Sequence, residues 1–537
     1  MVGLPGRDTA GYLRTFAGFP LALRRYLRRP LTLDDARRIV ADRLAHRERN
    51  FLRIVERAVY GHPNSPYLAL LRLAGCDLED LRALVQQKGL EGALGVLREA
   101  GVYVTFEEFK GRRPIVRGGR TIPVVDRDFD NPFARHDLTL TTGGTTGLAT
   151  AVHQDLDYIA AMATVHMLML DAWGVLAAPA VIWSEILPGA GLRFSLQRAA
   201  FARSPDHWFS NQGWFDSDSW LKYDLATIYS AFWMRLLGAS IGFPRIARVD
   251  RAIVVARRVH ALVGEHGQCL VYSNVSRALR VAISAQEAGM DLTGVTFRVG
   301  GEPVTAAKVE RIRSAGARVM PAYGSVEAGA IGLGCPRPGV LDHMHLASDA
   351  VALVTHPLEM EGTGLAVQAF NLTSLIDASP KVMLNYQIDD DGVVEERNCG
   401  CPLHGCGYTT SIHSVRSYSK LLVEGVTMIG VEVQHILEDV LPARFGGGPL
   451  DYQLMEADDE TGLTRMHLLV SPRLAVPDPE EVGRVFLQAL RASSPRGDAT
   501  GASWQHAGTV RVVREEPHLT SRGKMLPLYH RRATPPR

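Results

Sequence analysis

The sequence predicts an α/β protein: a large unit of parallel sheets covered by helices, a helical layer ahead of it, and a small α+β unit behind. Three observations predict it. Short apolar runs at Val181–Trp183, Leu270–Tyr272, Val295–Val299 and Val319–Ala322 alternate with helical stretches such as Thr305–Ser314, the texture of strand–helix–strand units. Residues 1 to about 110 show only helical spacing of apolar positions. The last 120 or so residues change to a compact helix, strand, strand, helix, strand order. A chain of 537 residues exceeds what one core holds, so the expected boundaries are 1–115, 116–415 and 416–537.

In the helical layer, Thr32 and Asp35 have the spacing of a capping box. Ile39, Val40, Leu44, Phe51, Ile54, Val55 and Val59 then recur on one helical face. A second helix is expected from about Leu78 to Ala100. The RRYLRR cluster at Arg24–Arg29 reads as a solvated face beside a helix. Nothing in this layer carries chemistry. The most apolar stretch, Ala160–Trp183, is interrupted by His166, Asp171 and Pro179, so it reads as a buried helix entering a strand and not as a membrane span. In the last unit, a helix at Gly430–Val440 precedes strands Tyr452–Met455 and Met466–Val470, joined by the ADDETG hairpin loop. A helix at Pro479–Ala492 and a strand at Thr509–Val513 follow.

Bulk properties exclude several classes. A formal net charge of +2 argues against a nucleic-acid partner. Arg14, Arg24 and Arg25 break up any signal-peptide core. Six cysteines do not make a disulfide scaffold, which makes a reducing cytoplasm the expected location. A homodimer is left open.

Parallel sheets bind ligands at the carboxyl ends of their strands, so the polar loops there are the ones to read. LTLTTGGTTGLAT, Leu138–Thr150, packs five threonines and three glycines into residues 139–147. Glycine lets backbone approach a ligand closely, and exposed N–H and hydroxyl groups suit a polyanion. It is not a Walker A loop, because no lysine follows Gly147. Gly300-Gly301-Glu302 and Tyr323-Gly324-Ser325-Val326-Glu327 are the next such loops.

Five segments in order resemble the adenylate-forming superfamily of acyl-CoA ligases, peptide-synthetase adenylation domains and luciferases. They are TTGGTTG at 141–147, VGGEPV at 299–304, AYGSVEAG at 322–329, NYQIDDDG at 385–392 and HLTSRGKML at 518–526. SVRSYSKLLVEGV at 414–426, and AYGSVEAGAIGLGC followed by HMHLASD, are most similar to the phenylacetate-CoA ligase branch.

The resemblance implies attack of a carboxylate on the α-phosphate of ATP, giving acyl-AMP and pyrophosphate, with a small carboxylic acid as substrate and coenzyme A as acceptor. Thr141, Thr142, Gly143, Gly144, Thr145, Thr146 and Gly147 would hold the β- and γ-phosphates. Glu327 would hold Mg²⁺, and Ser325 would bond the α-phosphate. Gly301, Glu302 and Gly324 line the adenine side, where Tyr323 offers a ring face. Asp390 would accept both ribose hydroxyls and Arg416 would help fix the ribose. Lys524 would bring an ammonium between carboxylate and α-phosphate. The implied small unit swings about the hinge between half-reactions. Tyr418 and Glu424 depart from the hinge pattern, which keeps an amine, a carrier-protein thiol or a protein in play as acceptor. The departure at Ile388-Asp389 is milder. A third reading, a zinc-stabilised binding protein without catalysis, is opposed by the intact Lys524, Glu327 and TTGGTTG.

NCGCPLHGCGY places Cys399, Cys401 and Cys406 close together with His404 between them, while Cys335 and His345 lie upstream. A soft nitrogen and sulfur set suits tetrahedral zinc. The branch resemblance implies a structural Zn²⁺ on Cys335, His345, Cys399 and Cys401, with Cys406 or His404 as alternates. His345 is preferred to His343 because it precedes Leu346 and Asp349. Trp183 and Glu185 fall where the branch has acyl-pocket residues, and Glu185 there would favour a substrate carrying an amine or hydroxyl donor.

Overall fold

The computed structural model describes residues 9–141, 150–211, 214, 220–239, 241–360, 365–418, 422–423, 426–427, 430–458, 464–475, 478–493, 501, 504–505, 509–520 and 523–530. Thr142, Gly143, Gly144, Thr145, Thr146, Gly147 and Glu424 lie outside them, as does part of the ADDETG loop.

The helical layer forms as the spacing predicts. Helices span Thr9–Leu27, Leu33–Ala45, Arg47–Val55, Pro66–Leu73 and Leu78–Glu99. Thr32 caps the second of them: its hydroxyl accepts from Asp35 N at 3.1 Å, and the Asp35 carboxylate answers the Thr32 N–H and hydroxyl. The helix Leu33–Ala45 lies against the apolar helix Leu156–Ala172, sharing a core with it through Ala36 and Val40. Residues Phe51 to Leu97 pack instead against the later strands.

A 13-stranded sheet organises the middle of the chain. One half is parallel, in the order Arg318–Ser325, Val295–Val299, Cys269–Ser273, Ala180–Trp183, His207–Ser210, Arg245–Ile246. The chain winds outward from Ala180–Trp183 in one direction, then returns and winds outward from Cys269–Ser273 in the other. That reversal leaves a crevice at the carboxyl ends of those two strands, the place where open α/β sheets bind ligands.

The other half departs from the expected parallel sheets. Gly329–Gly334, Met344–Leu346, Thr410–Ser417, Tyr386–Glu396, Leu365–Ser374 and Val351–Met360 pair antiparallel. Their connections are short and lack the long helical crossover that a parallel pair requires. The two halves join where Arg318–Ser325 pairs antiparallel with Gly329–Gly334.

The C-terminal unit has its own four-stranded sheet, ordered Val510–Arg514, Thr464–Val470, Tyr452–Asp458, Leu528–His530. Helical segments from Gly430 to Phe445 and at Pro479–Ser493 cover it. Its core includes Ile436, Leu454, Leu468, Phe486 and Trp504. Among the described residues no helix is long and apolar enough to cross a membrane.

Candidate active site

A cavity of about 1060 Å³ opens at the carboxyl ends of the parallel strands, and both the large sheet and the C-terminal unit line it. Two glycines let the last loop close over it. A Cβ on Gly301 (φ 78°) would stand 2.7 Å from Lys524 Nζ. A Cβ on Gly523 (φ 64°) would stand 2.9 Å from both Arg277 Nη2 and Val249 Cγ1. Only a residue without a side chain fits at either place. Lys524 Nζ therefore reaches Gly301 O at 2.8 Å, carrying an ammonium from the C-terminal unit to the edge of the large sheet. A buried ion pair, Lys308 Nζ to Glu438 at 2.7 Å, holds the two parts together nearby.

The strand Arg318–Ser325 and the turn after it deliver four groups. Tyr323 donates its hydroxyl to Asp390 Oδ2 at 2.7 Å. Burial and the Asp390 charge both push the Tyr323 phenol up, so it stays a donor. Ser325 Oγ accepts from Ala328 N at 3.0 Å, which fixes the oxygen and leaves its proton free to point elsewhere. Gly324 lies beside it along the cavity wall. Glu327 is buried against the Lys110 ammonium. Burial alone would raise the Glu327 carboxyl, but Lys110 outweighs it and holds the group below its ordinary value. Lys110 was not visible as a site residue in the sequence. It lies 217 positions from Glu327, just after the short helix Phe106–Phe109, and no motif marks it.

Glu302 sits at the start of the helix Val275–Glu287, accepting from Ser276 N at 3.0 Å and Ser276 Oγ at 2.6 Å. Its other oxygen, Oε1, is buried without a hydrogen-bond partner. Burial pushes this carboxyl up despite Lys308, Ser276 and Lys524 nearby. Arg416 faces the cavity from the strand Thr410–Ser417, with its Nε donating to Ser414 O at 3.3 Å. Tyr418, one residue beyond that strand, is tied back by its hydroxyl to Ile388 O at 3.0 Å and by its N–H to Asp389 O at 3.2 Å. Thr141 ends the strand Leu138–Thr141, which pairs antiparallel with Ala151–Gln154.

At the other end of the cavity, Trp183 is fully buried and donates its indole N–H to Ala247 O at 3.0 Å. Glu185 lines the cavity, but the Arg277 guanidinium is clamped onto its carboxylate. The pair meets the Glu185 charge within the protein through one of its two carboxylate oxygens.

The four residues proposed as a metal set converge away from the cavity. Ligand atoms of Cys335, His345, Cys399 and Cys401 all lie within 4.8 Å of one another. Cys335 and Cys399 Sγ are 3.8 Å apart; His345 Nε2 is 3.2 Å from Cys401 Sγ and 3.5 Å from Cys399 Sγ. Zn–S bonds of about 2.3 Å at tetrahedral angles put sulfurs roughly 3.8 Å apart, so the spacing suits zinc. His345 Nδ1 faces Tyr408 O at 2.7 Å, which makes it the N–H and leaves Nε2 as the ligand atom. Hydrogen bonds from Cys335 and His345 pull the Cys401 thiol below its ordinary value. Cys406, His404 and His343 stand outside this set. His343 instead faces Glu395 at 3.1 Å. His343 Nδ1 accepts from Gly339 N, so its Nε2 bears the proton and is a poor metal ligand.

No protein-family model and no curated protein matches the sequence. Solved structures do match in shape. 2-Hydroxyisobutyryl-CoA ligase, in a postadenylation state with R3-HIB-AMP, aligns with 92% of this chain and 89% of its own, at 15% identity and a TM-score of 0.51. The same enzyme with 2-HIB-AMP gives the same values. Anthranilate CoA ligase AuaEII with anthranoyl-AMP aligns with 73% of this chain and 65% of its own, at 14% identity and a TM-score of 0.43. The chain shares its fold with 2-hydroxyisobutyryl-CoA ligase.

Proposed function

We propose that this protein activates a small carboxylic acid with ATP through an acyl-adenylate and passes the acyl group to coenzyme A. The observation that carries this reading is Lys524: a lysine from the C-terminal unit, seated at Gly301, in a cavity it shares with Tyr323, Ser325, Glu327 and Asp390. The fold shared with CoA ligases supports it.

In the first half-reaction a carboxylate oxygen bonds to the α-phosphorus and the bond to pyrophosphate breaks. Lys524 offsets the negative charge that gathers on the phosphorus oxygens, and Ser325 donates its free proton to one of them. Asp390 accepts from ribose hydroxyls while Tyr323 fixes its position and shows a ring face to adenine. Glu302 Oε1, an acceptor without a partner, suits the adenine amino group. Arg416 steadies the ribose side, and residues 141–147 cradle the outer phosphates. Glu327 keeps one oxygen beyond its Lys110 contact, which suits Mg²⁺; that ion supplies charge neutralisation on the phosphates when bound. In the second half-reaction a thiolate adds to the acyl carbonyl and AMP leaves. Cys335, His345, Cys399 and Cys401 would hold a structural zinc that pins the segment after the Glu327 turn to the approach to the hinge.

A second reading keeps adenylation and changes the acceptor to an amine or a carrier-protein thiol. Tyr418 supports it, because its bonds to residues 388 and 389 tie down the stretch that must pivot for coenzyme A. Mass analysis of products from ATP, Mg²⁺ and a panel of acids, with and without coenzyme A, tests both. AMP together with acyl-CoA is expected. AMP with acid-dependent turnover but no acyl-CoA selects the second reading, and ADP in place of AMP overturns both.

A further inference from the structure

At the acyl end of the cavity arginines outnumber carboxylates: Arg193, Arg277 and Arg298 line it with Glu185. Arg298 lies on the strand Val295–Val299, in register with Tyr272 on one side and Met320 on the other. Its neighbours Phe297 and Val299 turn to the opposite face and join the core under the outer helices. Arg298 instead faces the apolar helix Leu156–Ala172 and the helix Gly191–Ala199, and lines the cavity. Its guanidinium lies 5.0 Å from the Phe194 ring centroid and 5.9 Å from that of Tyr272. The Arg193 guanidinium stands 5.3 Å from the same Phe194 ring and also lines the cavity.

Among the described residues no carboxylate pairs with Arg298, and its Nε is buried without a hydrogen-bond partner. Burial pulls the guanidinium down to about 10, which leaves it cationic at neutral pH. Nearby His166 is pushed down by burial and then by Arg298, Arg198 and Arg193, so it is neutral and brings no counter-charge. Glu185, also on the cavity wall, pairs with Arg277. A cation in the middle of a buried sheet face is costly unless an anion meets it. Ring contacts with Phe194 and Tyr272 offset only part of that cost. The cavity runs without interruption from Arg298 to Gly301 and Lys524, three residues further along the same strand end.

We infer that the acid activated here carries a second anionic group, which docks on Arg298 with Arg193 beside it while the reacting carboxylate lies at Lys524. The inference rests on the adenylation reading and names its substrate class: dicarboxylates, or acids bearing a phosphonate or sulfonate in place of the second carboxylate. Carboxylates, phosphonates and sulfonates share the oxyanion that a guanidinium fork recognises.

The test compares matched acids in ATP–pyrophosphate exchange: malonate through adipate, 3-phosphonopropionate and 3-sulfopropionate against monocarboxylates and monomethyl esters of equal length. At least one doubly anionic acid should exceed its singly charged match on the order of 10²-fold in kcat/KM, the size expected for a hydrogen bond to a charged group. Which acid leads separates carboxylate from phosphonate and sulfonate. Arg298→Met should abolish that preference, raising KM for the doubly anionic acid far more than for its matched monoester, and Arg298→Lys should restore part of it. Singly charged acids turning over as well as or better than every doubly anionic one would overturn the inference and leave the adenylation reading standing. If no acid supports exchange, the adenylation reading fails. Dicarboxylate-dependent thermal stabilisation, present in the native chain and lost in folded Arg298→Met, would then still establish the anion site, and its absence would overturn that too.

Discussion

At the end of the cavity where Lys524 enters, the carboxylates come with partners from the chain itself. Glu327 meets Lys110, Glu438 meets Lys308, Glu302 accepts from Ser276, and Asp390 accepts from Tyr323. At the acyl end Arg298 meets two aromatic rings and, among the described residues, no carboxylate. The difference separates two uses of buried charge. Groups that position a nucleotide common to every turnover are held in advance by the protein, because rigid positioning there helps each cycle. A group that selects among acids can be left for the right substrate to satisfy, since a substrate lacking the matching charge leaves it buried and unmet.

The largest expected effect breaks the nucleotide end. Glu327→Gln should lower exchange on the order of 10³-fold, measured at saturating acid, because it removes the carboxylate proposed for Mg²⁺. A loss of less than about tenfold would remove Glu327 from the mechanism.

Lys110→Met breaks the same pair from its other side. Both side chains are almost fully buried, 4% and 6% exposed, so the uncompensated Glu327 should cost about 3–5 kcal/mol in denaturant unfolding. Lys110→Met combined with Glu327→Gln should recover part of that loss. The sign with pH follows from Lys110 holding the Glu327 carboxyl below its ordinary value. The pair's stabilisation is present above the ordinary glutamate pKa and is lost as pH falls through the depressed one. In Lys110→Met the carboxyl rises, so the acid limb of the activity profile should move to higher pH. An unmoved limb would show that Lys110 is not what tunes Glu327.

The thiol cluster is a third case, a set of ligands whose proposed counter-charge comes from outside the chain. Cys401→Ser, or removal of metal with a chelator, should lower Tm by roughly 5 °C or more, with about one zinc per chain lost on metal analysis. Cys406→Ser should leave both unchanged. Equal effects of the two serine variants would move the site.

Tyr323→Phe should be the mildest change. It removes one hydrogen bond to Asp390, so KM for ATP should rise by less than about tenfold while the acid preference stays the same. A changed acid preference would mean that the two ends are coupled.

Much of this was legible in the sequence. Val181–Trp183 and Leu270–Tyr272 mark the strands at the reversal point, and residues in the loops after such strands line the cavity. Cys335, His345, Cys399 and Cys401, the set implied by the branch resemblance, do come together. The antiparallel half was not, because apolar runs alone do not state which way a strand runs. Neither were Lys110 and Arg277, since an ion pair between distant segments leaves no periodic trace. Arg298 was hidden differently: Val295–Val299 reads as an apolar run, and only the pleat shows that its one charged residue faces the cavity.

The central claim is adenylation, and the most direct measurement is ATP–pyrophosphate exchange across a panel of acids, in the native chain and in Lys524→Ala. The account predicts exchange that requires an acid and falls roughly 10²–10³-fold in Lys524→Ala while the fold is kept. Exchange independent of any acid, or undiminished in Lys524→Ala, would contradict it.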